Sequence, residues 1–280
     1  MINAKSKSNK VALTLENMNL DKFVKQRLEV NSFSEDPFRH WIIENLIPDN
    51  LAHEIESEVS SIPNELWTTF NYEMQRKSQL SNLNLLPIKT KNLITYLNSA
   101  DFLQKLEQLT GVKNLISDPY LEGGGLHSLG NGGRLAIHAD FSRHNKFKIY
   151  RRINLILYLN NNWKNEYNGN LSLYDKDATT LKKSVMPKLN RAVIFETNVD
   201  SYHGHPEPIN CPENVRRKSI ALYYYTIEKT NLVRGINTRW RNGDNKKPLL
   251  MILRKPLSNL IWRCSKIFDL AANETPPWRA

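Results

Sequence analysis

The sequence has few cysteines and no long apolar run. Only Cys211 and Cys264 occur, with no CxxC pair, which suits a reducing compartment and excludes a disulfide framework or a Cys-rich zinc module. No stretch approaches the roughly 18 apolar residues that cross a bilayer, and residues 1–20 lack the apolar centre of a secretory signal. We therefore predict a cytoplasmic protein without a transmembrane segment, in which any metal is bound by His and carboxylate.

Acidic residues are scarce towards the C-terminus. The chain has 39 Lys or Arg and 28 Asp or Glu, a net charge of +11 over 280 residues. From Pro212 onward there are 14 basic and 5 acidic residues, a net +9, so the first 211 residues carry only +2. This patch suits nucleic acid, an anionic membrane surface or an acidic partner, and it equally suits a solvated surface with no charged partner.

The chain divides into three parts that differ in composition and in the periodicity of apolar residues. Residues 1–35 are polar and without a clean period, which predicts a loosely attached arm. Residues 36–227 form the predicted main domain. Strand structure is predicted to stop after Glu228, and residues 228–280 form a basic extension. In this extension WRNGDNKKP suits a turn-rich loop, and Pro256–Ala272 has the spacing of an amphipathic helix. Such a helix either contacts a membrane surface or packs on its own domain or on a second copy in a homodimer.

The first part of the main domain predicts a strand and helices. The apolar run Trp41–Ile43 suits a strand, and Pro48-Asp49-Asn50 supplies a turn and an N-cap before a helix over Leu51–Ile62. A second helix ends at Gly111, with Ser99 or Asp101 as its cap. The expected fold class is therefore mainly β with flanking helices, an N-terminal α/β lead-in and a C-terminal helical extension.

Between Gly123 and Tyr225 the chain is a series of short β-rich runs separated by turn residues. Close spacing without intervening helices predicts an antiparallel sandwich or barrel. The runs read RLAIHADF, RRINLILYLN, GNLSLYD, RAVIFET and KSIALYYYT.

His138 and Asp140 lie two residues apart in one of these runs. Side chains alternate along a strand, so both point to one face and can occupy adjacent positions around a metal. A second His cluster, SYHGHP, follows the strand RAVIFET. Arg217 and Ser219 then open another strand and offer a guanidinium and a hydroxyl on one face.

Two His, one carboxylate and a nearby Arg are the set that a non-haem Fe(II) oxygenase with an α-keto-acid cosubstrate requires. The three metal ligands occupy one face of an octahedral iron and leave the opposite face open. The open positions accept the keto acid and dioxygen. Arg217 and Ser219 suit the distal C5-carboxylate of 2-oxoglutarate, because a guanidinium binds a carboxylate through two parallel hydrogen bonds.

The motifs, in this order, resemble the Fe(II)/2-oxoglutarate-dependent dioxygenase superfamily, and in particular its prolyl-4-hydroxylase-like branch. The strongest likeness covers about residues 118–227, and the lead-in from residue 37 is similar too. The resemblance implies a distorted double-stranded β-helix, a jelly-roll fold. The motifs are GGRLAIHADF, RRINLILYLN, LSLYD after Gly169, RAVIFET, YHGHP and RKSIALYYY.

The resemblance also implies roles for single residues. It makes His138, Asp140 and His203 the iron ligands, with His205 as the alternative to His203. It makes Arg217 the partner of the C5-carboxylate, with Ser219 completing an R-x-S pattern. Two further side chains either face the cosubstrate or belong to the β core: Asn154 and Tyr158. Two histidines that flank the site in sequence either line its mouth or are ordinary surface or hydrogen-bonded groups: His127 and His144.

The implied activity is hydroxylation of an unactivated C–H bond with release of succinate and CO2. The substrate is a peptidyl residue, with proline one option, or a small metabolite; O2 is required, and ascorbate is a further candidate cofactor. Leu135 stands where many prolyl hydroxylases carry Tyr, and Arg217 where many carry Lys, which weakens the inference of a prolyl substrate. The alternatives are a non-catalytic jelly-roll metal-binding protein and a dioxygenase that acts on nucleic acid. The nucleic-acid enzymes carry an Arg-x5-Arg signature, and here Tyr223 stands where its second Arg would be.

Overall fold

A computed structural model of the protein describes residues 19–227 and 238–241. These residues belong to the first of two units into which the chain divides, Met1–Arg241 and Asn242–Ala280. The described part has four helices: α1 over residues 19–29, α2 Asp49–Ser60, α3 Ile88–Leu97 and α4 Ala100–Thr110.

Fourteen strands form one sheet in the described part of the chain. They are β1 Ser32–Ser34, β2 His40–Ile43, β3 Thr68–Tyr72, β4 Gln75–Leu80, β5 Ile116–Ser117, β6 Gly125–Leu129, β7 Arg134–Ala139, β8 Tyr150–Tyr158, β9 Leu171–Tyr174, β10 Leu181–Val185, β11 Ala192–Glu196, β12 His203–His205, β13 Arg217–Thr226 and β14 Arg239–Trp240.

The sheet is antiparallel throughout and folds over a cavity. Its main path runs β1-β2-β11-β8-β13-β6-β4-β7-β12-β9-β10, with β3, β5 and β14 attached at the side. Side chains from β8 and β13 and from β7 and β12 line the same cavity. The two halves of the path therefore face each other. The fold is a jelly-roll-like half-barrel with an N-terminal helix and strand lead-in, as the sequence predicted.

Alternation along the central strands separates the hydrophobic core from the cavity. On β8, Leu155 and Leu157 are fully buried in the main core, which also contains Ile55 of α2 and Leu93 of α3. Asn154 and Ile156 point the other way and line the cavity. The helices thus cover one face of this half of the sheet, and the opposite face is left for the site.

The predicted lead-in is confirmed, with one difference in capping. Strand β2 and helix α2 lie where the sequence placed them, but α2 follows Pro48 with no side-chain cap. Helix α4 is capped by the Ser99 hydroxyl and ends at Gly111, which has φ +75°. Helix α3, directly before it, was not predicted, although its buried residues have helical three-and-four spacing: Thr90, Leu93, Ile94 and Leu97.

Residues 19–34 differ from the predicted loose arm. They form α1 and β1, and Val24 and Leu28 of α1 are buried in the main core. The arm prediction is therefore wrong for this part, because a few apolar residues among many polar ones are enough to hold a helix on the sheet. Residues 1–18 lie outside the described residues, and the domain boundaries at 35 and 227 stay predictions.

Replacing Val24 by alanine is expected to lower the free energy of unfolding by about 2 kcal/mol, because a fully buried valine loses its apolar contacts. Val30, 73% exposed just beyond the same helix, is the matched control and should change the stability by less than about 0.5 kcal/mol. Urea denaturation of both variants measures the difference. Equal effects would mean that α1 does not pack as described.

The sheet continues past the point where the sequence predicted its end. Strand β14 pairs with β7, with Trp240 opposite His138. The prediction that strand structure stops after Glu228 is thus wrong for Arg239 and Trp240. The predicted helix Pro256–Ala272 and most of the WRNGDNKKP loop lie outside the described residues. None of the helices in the described ranges is both long and apolar enough to cross a membrane.

Candidate active site

Three side chains converge at one end of the cavity. His138 lies on β7, Asp140 directly follows that strand, and His203 on β12 pairs with His138 across the sheet. The His138 Nε2 atom is 3.4 Å from Asp140 Oδ1, and His203 Nε2 is 3.4 Å from Asp140 Oδ2. One ligand atom from each residue lies within 4.8 Å of the others. These distances suit three ligands on one face of a single metal ion.

The histidine hydrogen bonds orient both rings for metal binding. His138 Nδ1 lies 2.8 Å from the Ala136 carbonyl, and His203 Nδ1 lies 2.9 Å from the Ser201 carbonyl. A carbonyl only accepts, so each Nδ1 carries the proton, and in the neutral rings each Nε2 lone pair lies beside Asp140, where a metal ion would bind. Because second-shell carbonyls of this kind fix metal-ligating histidines, the donor set fits a divalent metal.

His205 occupies a different place in the same cavity. It is buried on β12, where it pairs with Leu135 rather than with His138. It is not in the group of three that share a possible metal position. The geometry therefore favours His203 over His205 as the third ligand.

Arg217 lies in the cavity away from these three residues, at the start of β13. The side chain is buried; Nε donates to the Gly169 carbonyl at 2.7 Å, and Nη2 donates to the Tyr158 hydroxyl at 3.3 Å. Ser219, two residues on, is buried on the same face and also lines the cavity. Lys218 between them points to the opposite face and pairs with Glu56 of α2.

Residues 124–225 match the 2OG-Fe(II) oxygenase superfamily. The matched range contains the three converging residues and Arg217. This part of the chain belongs to that superfamily. Fe(II) and 2-oxoglutarate are the metal and cosubstrate that the superfamily and the His-Asp-His group imply.

The structure resembles solved structures whose sequences have low identity to this chain. A prolyl-4-hydroxylase from Pseudomonas putida is 14% identical, with a TM-score of 0.51, covering 72% of this chain and 97% of that one. HygX from Streptomyces hygroscopicus, with nickel, 2-oxoglutarate and hygromycin B bound, is 13% identical with a TM-score of 0.48, covering 75% and 95%. The first likeness supports the fold. No curated protein sequence matches the chain significantly.

Asn154 and Tyr158, predicted either to face the cosubstrate or to belong to the core, both contact site residues. The Asn154 amide donates to Asp140 Oδ2 at 2.7 Å. The Tyr158 hydroxyl accepts from Arg217, and its ring lies 5.0 Å from the guanidinium carbon. Asn154 thus holds the carboxylate of the oxygenase site, and Tyr158 supports Arg217 from behind.

Arg151 is a site residue that the sequence reasoning missed. Strict alternation along β8 puts it on the face opposite Asn154. A bulge between β8 and β13 interrupts the register beside Arg151 and turns this side chain into the cavity. There Nη2 lies 2.9 Å from Asp140 Oδ2, while Asn154 accepts from Nε at 2.7 Å.

The surroundings keep Asp140 ionised and His203 neutral. Burial raises the pKa of Asp140, but Arg151 and the two histidines lower it more, so it lies well below its ordinary range. Burial lowers the pKa of His203 to about 4, although Asp140 opposes the shift. A carboxylate and a neutral imidazole are the forms that bind a metal ion, so both side chains have the protonation state that metal binding requires near neutral pH.

Further residues reach the cavity from elements that the sequence did not predict. Lys77 comes from β4, and Trp240 from β14 with its ring 5.1 Å from that of His138. His127, considered from the sequence as a residue of the site mouth, lines the cavity on β6. His144, considered with it, is buried elsewhere, 3.3 Å from Asp118.

Replacing Asn154 by alanine is expected to weaken Fe(II) binding about tenfold, because outer-shell partners of metal ligands typically contribute that much. The amide fixes one oxygen of Asp140, so its loss lets the carboxylate rotate. Anaerobic Fe(II) titration measures the dissociation constant. Asn84→Ala, at an exposed position, is the control, and an unchanged constant in Asn154→Ala would contradict this role.

Proposed function

We propose that the protein is an Fe(II)- and 2-oxoglutarate-dependent hydroxylase. It inserts oxygen into an unactivated C–H bond of a peptidyl residue or small metabolite and releases succinate and CO2. The observation that carries this proposal is the placement of the His138-Asp140-His203 group and the buried Arg217 in one cavity of about 260 Å³. A metal site and a separate carboxylate partner are both needed to hold the cosubstrate.

Bound iron supplies the oxidising chemistry, and the protein supplies position and electrostatics. His138, Asp140 and His203 would hold the metal, and Arg217 would hold the C5-carboxylate at the other end of the cosubstrate. Asn154 and Arg151 fix the Asp140 carboxylate. Two attachment points at opposite ends would restrict the orientation of the cosubstrate, as positional catalysis requires.

The aromatic residues at the cavity limit the access of water. Trp240 lies against His138, and the Tyr223 hydroxyl donates to the Gly123 carbonyl at 3.0 Å. Phe141 also lines the cavity. Excluding water protects a strong oxidant from side reactions.

Observations on the fold and on two cavity residues bear on the substrate class. The fold likeness to a prolyl-4-hydroxylase supports a peptidyl proline as one candidate, whereas Leu135 in the cavity and Arg217 in place of Lys count against it. A free amino acid or another small metabolite fits the same chemistry. Cytoplasmic location, a homodimer, membrane contact by the C-terminal helix and a requirement for ascorbate stay predictions.

Anaerobic titration with Fe(II) and 2-oxoglutarate tests the proposal. We expect the weak visible charge-transfer band of the chelated cosubstrate, followed by succinate release when O2 and a substrate are added. Bound iron without the band would favour the alternative, a jelly-roll protein that binds metal without catalysis. Steeply salt-dependent binding to random DNA would favour a nucleic-acid substrate instead.

A further inference from the structure

The cavity has more positive charge than iron and 2-oxoglutarate need. Among its described lining residues, the permanent cations are Arg151 and Arg217, Lys77 is a third basic group, and Asp140 is the only carboxylate. Fe(II) with Asp140 carries one net positive charge, and Arg217 adds another. The two carboxylates of 2-oxoglutarate balance both charges. Lys77 and Arg151 are therefore left without a counter-charge from the metal or the cosubstrate.

Lys77 has no carboxylate within ion-pair distance among the described residues. Its Nζ atom lies 3.2 Å from His127 Nε2 and 5.9 Å from the centre of the Phe70 ring. Burial lowers its pKa to about 8; Asp140 opposes this shift and Arg151 adds to it by repulsion. The group is still mostly charged at neutral pH, and its present neighbours leave donor capacity on the ammonium free.

Arg151 is held by one side of its guanidinium only. Nη2 lies beside Asp140, Nε donates to Asn154, and the guanidinium carbon lies 3.3 Å from the Tyr223 ring centre. Nη1 is buried and has no hydrogen-bond partner. A buried, charged N–H without an acceptor is costly, so a ligand oxygen at this place would be stabilising.

We propose that the hydroxylated substrate carries an anionic group, a carboxylate or a phosphate, which Lys77 binds with the help of Arg151 Nη1. This inference rests on the proposed function and narrows its substrate class. An anionic metabolite gives Lys77 a counter-charge and gives Arg151 Nη1 an acceptor. A neutral peptide segment offers only carbonyl oxygens and leaves the positive charge uncompensated in a confined cavity.

The test uses pairs of compounds that differ in one anionic group. N-acetyl-L-proline is compared with N-acetyl-L-prolinamide, and glucose 6-phosphate with glucose. Each compound is titrated anaerobically into the full-length protein loaded with Fe(II) and saturating 2-oxoglutarate. Perturbation of the charge-transfer band reports binding next to the metal. The two pairs distinguish a carboxylate from a phosphate.

In the wild type we expect the anionic member of at least one pair to bind about tenfold tighter than its neutral counterpart, a difference of about 1.4 kcal/mol. In Lys77→Met this ratio should fall to near one, while the affinity for 2-oxoglutarate stays the same. Lys77→Arg keeps the charge and should keep the preference. Lys182→Met removes an exposed lysine of β10 and is the matched control.

Two results overturn the inference alone: the band forms but no anionic compound binds better than its neutral partner, or Lys77→Met keeps the preference. A large loss of 2-oxoglutarate affinity in Lys77→Met would also overturn it, because Lys77 would then belong to the cosubstrate site. Absence of the band in the wild type overturns the proposed function, and the inference with it.

Discussion

Replacing His203 by alanine is expected to abolish Fe(II) binding, whereas replacing His205 by alanine should leave iron bound. Of these two residues, His203 is the one whose Nε2 lies beside Asp140 and in the group that shares a possible metal position. Loss of one of three ligands should weaken binding by more than the roughly 10–100-fold that outer-shell changes cause. Anaerobic titration with Fe(II), or with Co(II) as a spectroscopic substitute, measures both variants.

The pair His203→Ala and His205→Ala is a matched comparison because both residues are buried on β12, two positions apart. A general loss of fold would affect both variants, and thermal unfolding shows whether either has lost it. Iron binding that survives in His203→Ala and disappears in His205→Ala would assign the third ligand to His205. Loss in both folded variants would mean that the site depends on the whole strand.

The sequence allowed the central strands and the metal group to be predicted for a physical reason. His138 and Asp140 share a face by simple strand alternation, and the strands between residues 134 and 226 are long enough to show their pattern. The same rule gave Arg217 and Ser219 on one face. Where a strand is regular, the alternation of its residues predicts which face of the sheet each side chain points to.

The remaining site residues could not be predicted in this way. Arg151 reaches the cavity only because a bulge shifts the register beside it. Lys77 comes from β4, whose sequence QRKSQL has a single apolar residue and therefore shows no apolar alternation. Trp240 comes from a two-residue strand in a turn-rich segment. These features depend on the pairing of strands that are distant in sequence, and local periodicity does not predict that pairing.

Replacing Arg217 by glutamine is expected to raise the dissociation constant of 2-oxoglutarate at least about 30-fold while Fe(II) binding is kept. Arg217 is buried, so its loss would leave the C5-carboxylate desolvated without a cation, which costs roughly 2–5 kcal/mol. The metal ligands lie on other elements, β7 and β12, and should be unaffected. The charge-transfer band, titrated with 2-oxoglutarate at saturating Fe(II), measures the change.

Lys218→Met is the matched control for Arg217→Gln. Lys218 is the next residue on β13, but it pairs with Glu56 on the helix side of the sheet. Its loss should leave the cosubstrate affinity unchanged and cost at most about 1 kcal/mol of stability, as partly exposed ion pairs do. Suppose that Lys218→Met lowered the affinity for 2-oxoglutarate and Arg217→Gln did not. The partner of the C5-carboxylate would then be Lys218, a lysine as in many prolyl hydroxylases. In the structure the odd-numbered residues at the start of β13 point into the cavity, where Arg217 donates to Gly169 and Tyr158. That result would therefore mean that this assignment of side chains to the two faces of β13 is wrong.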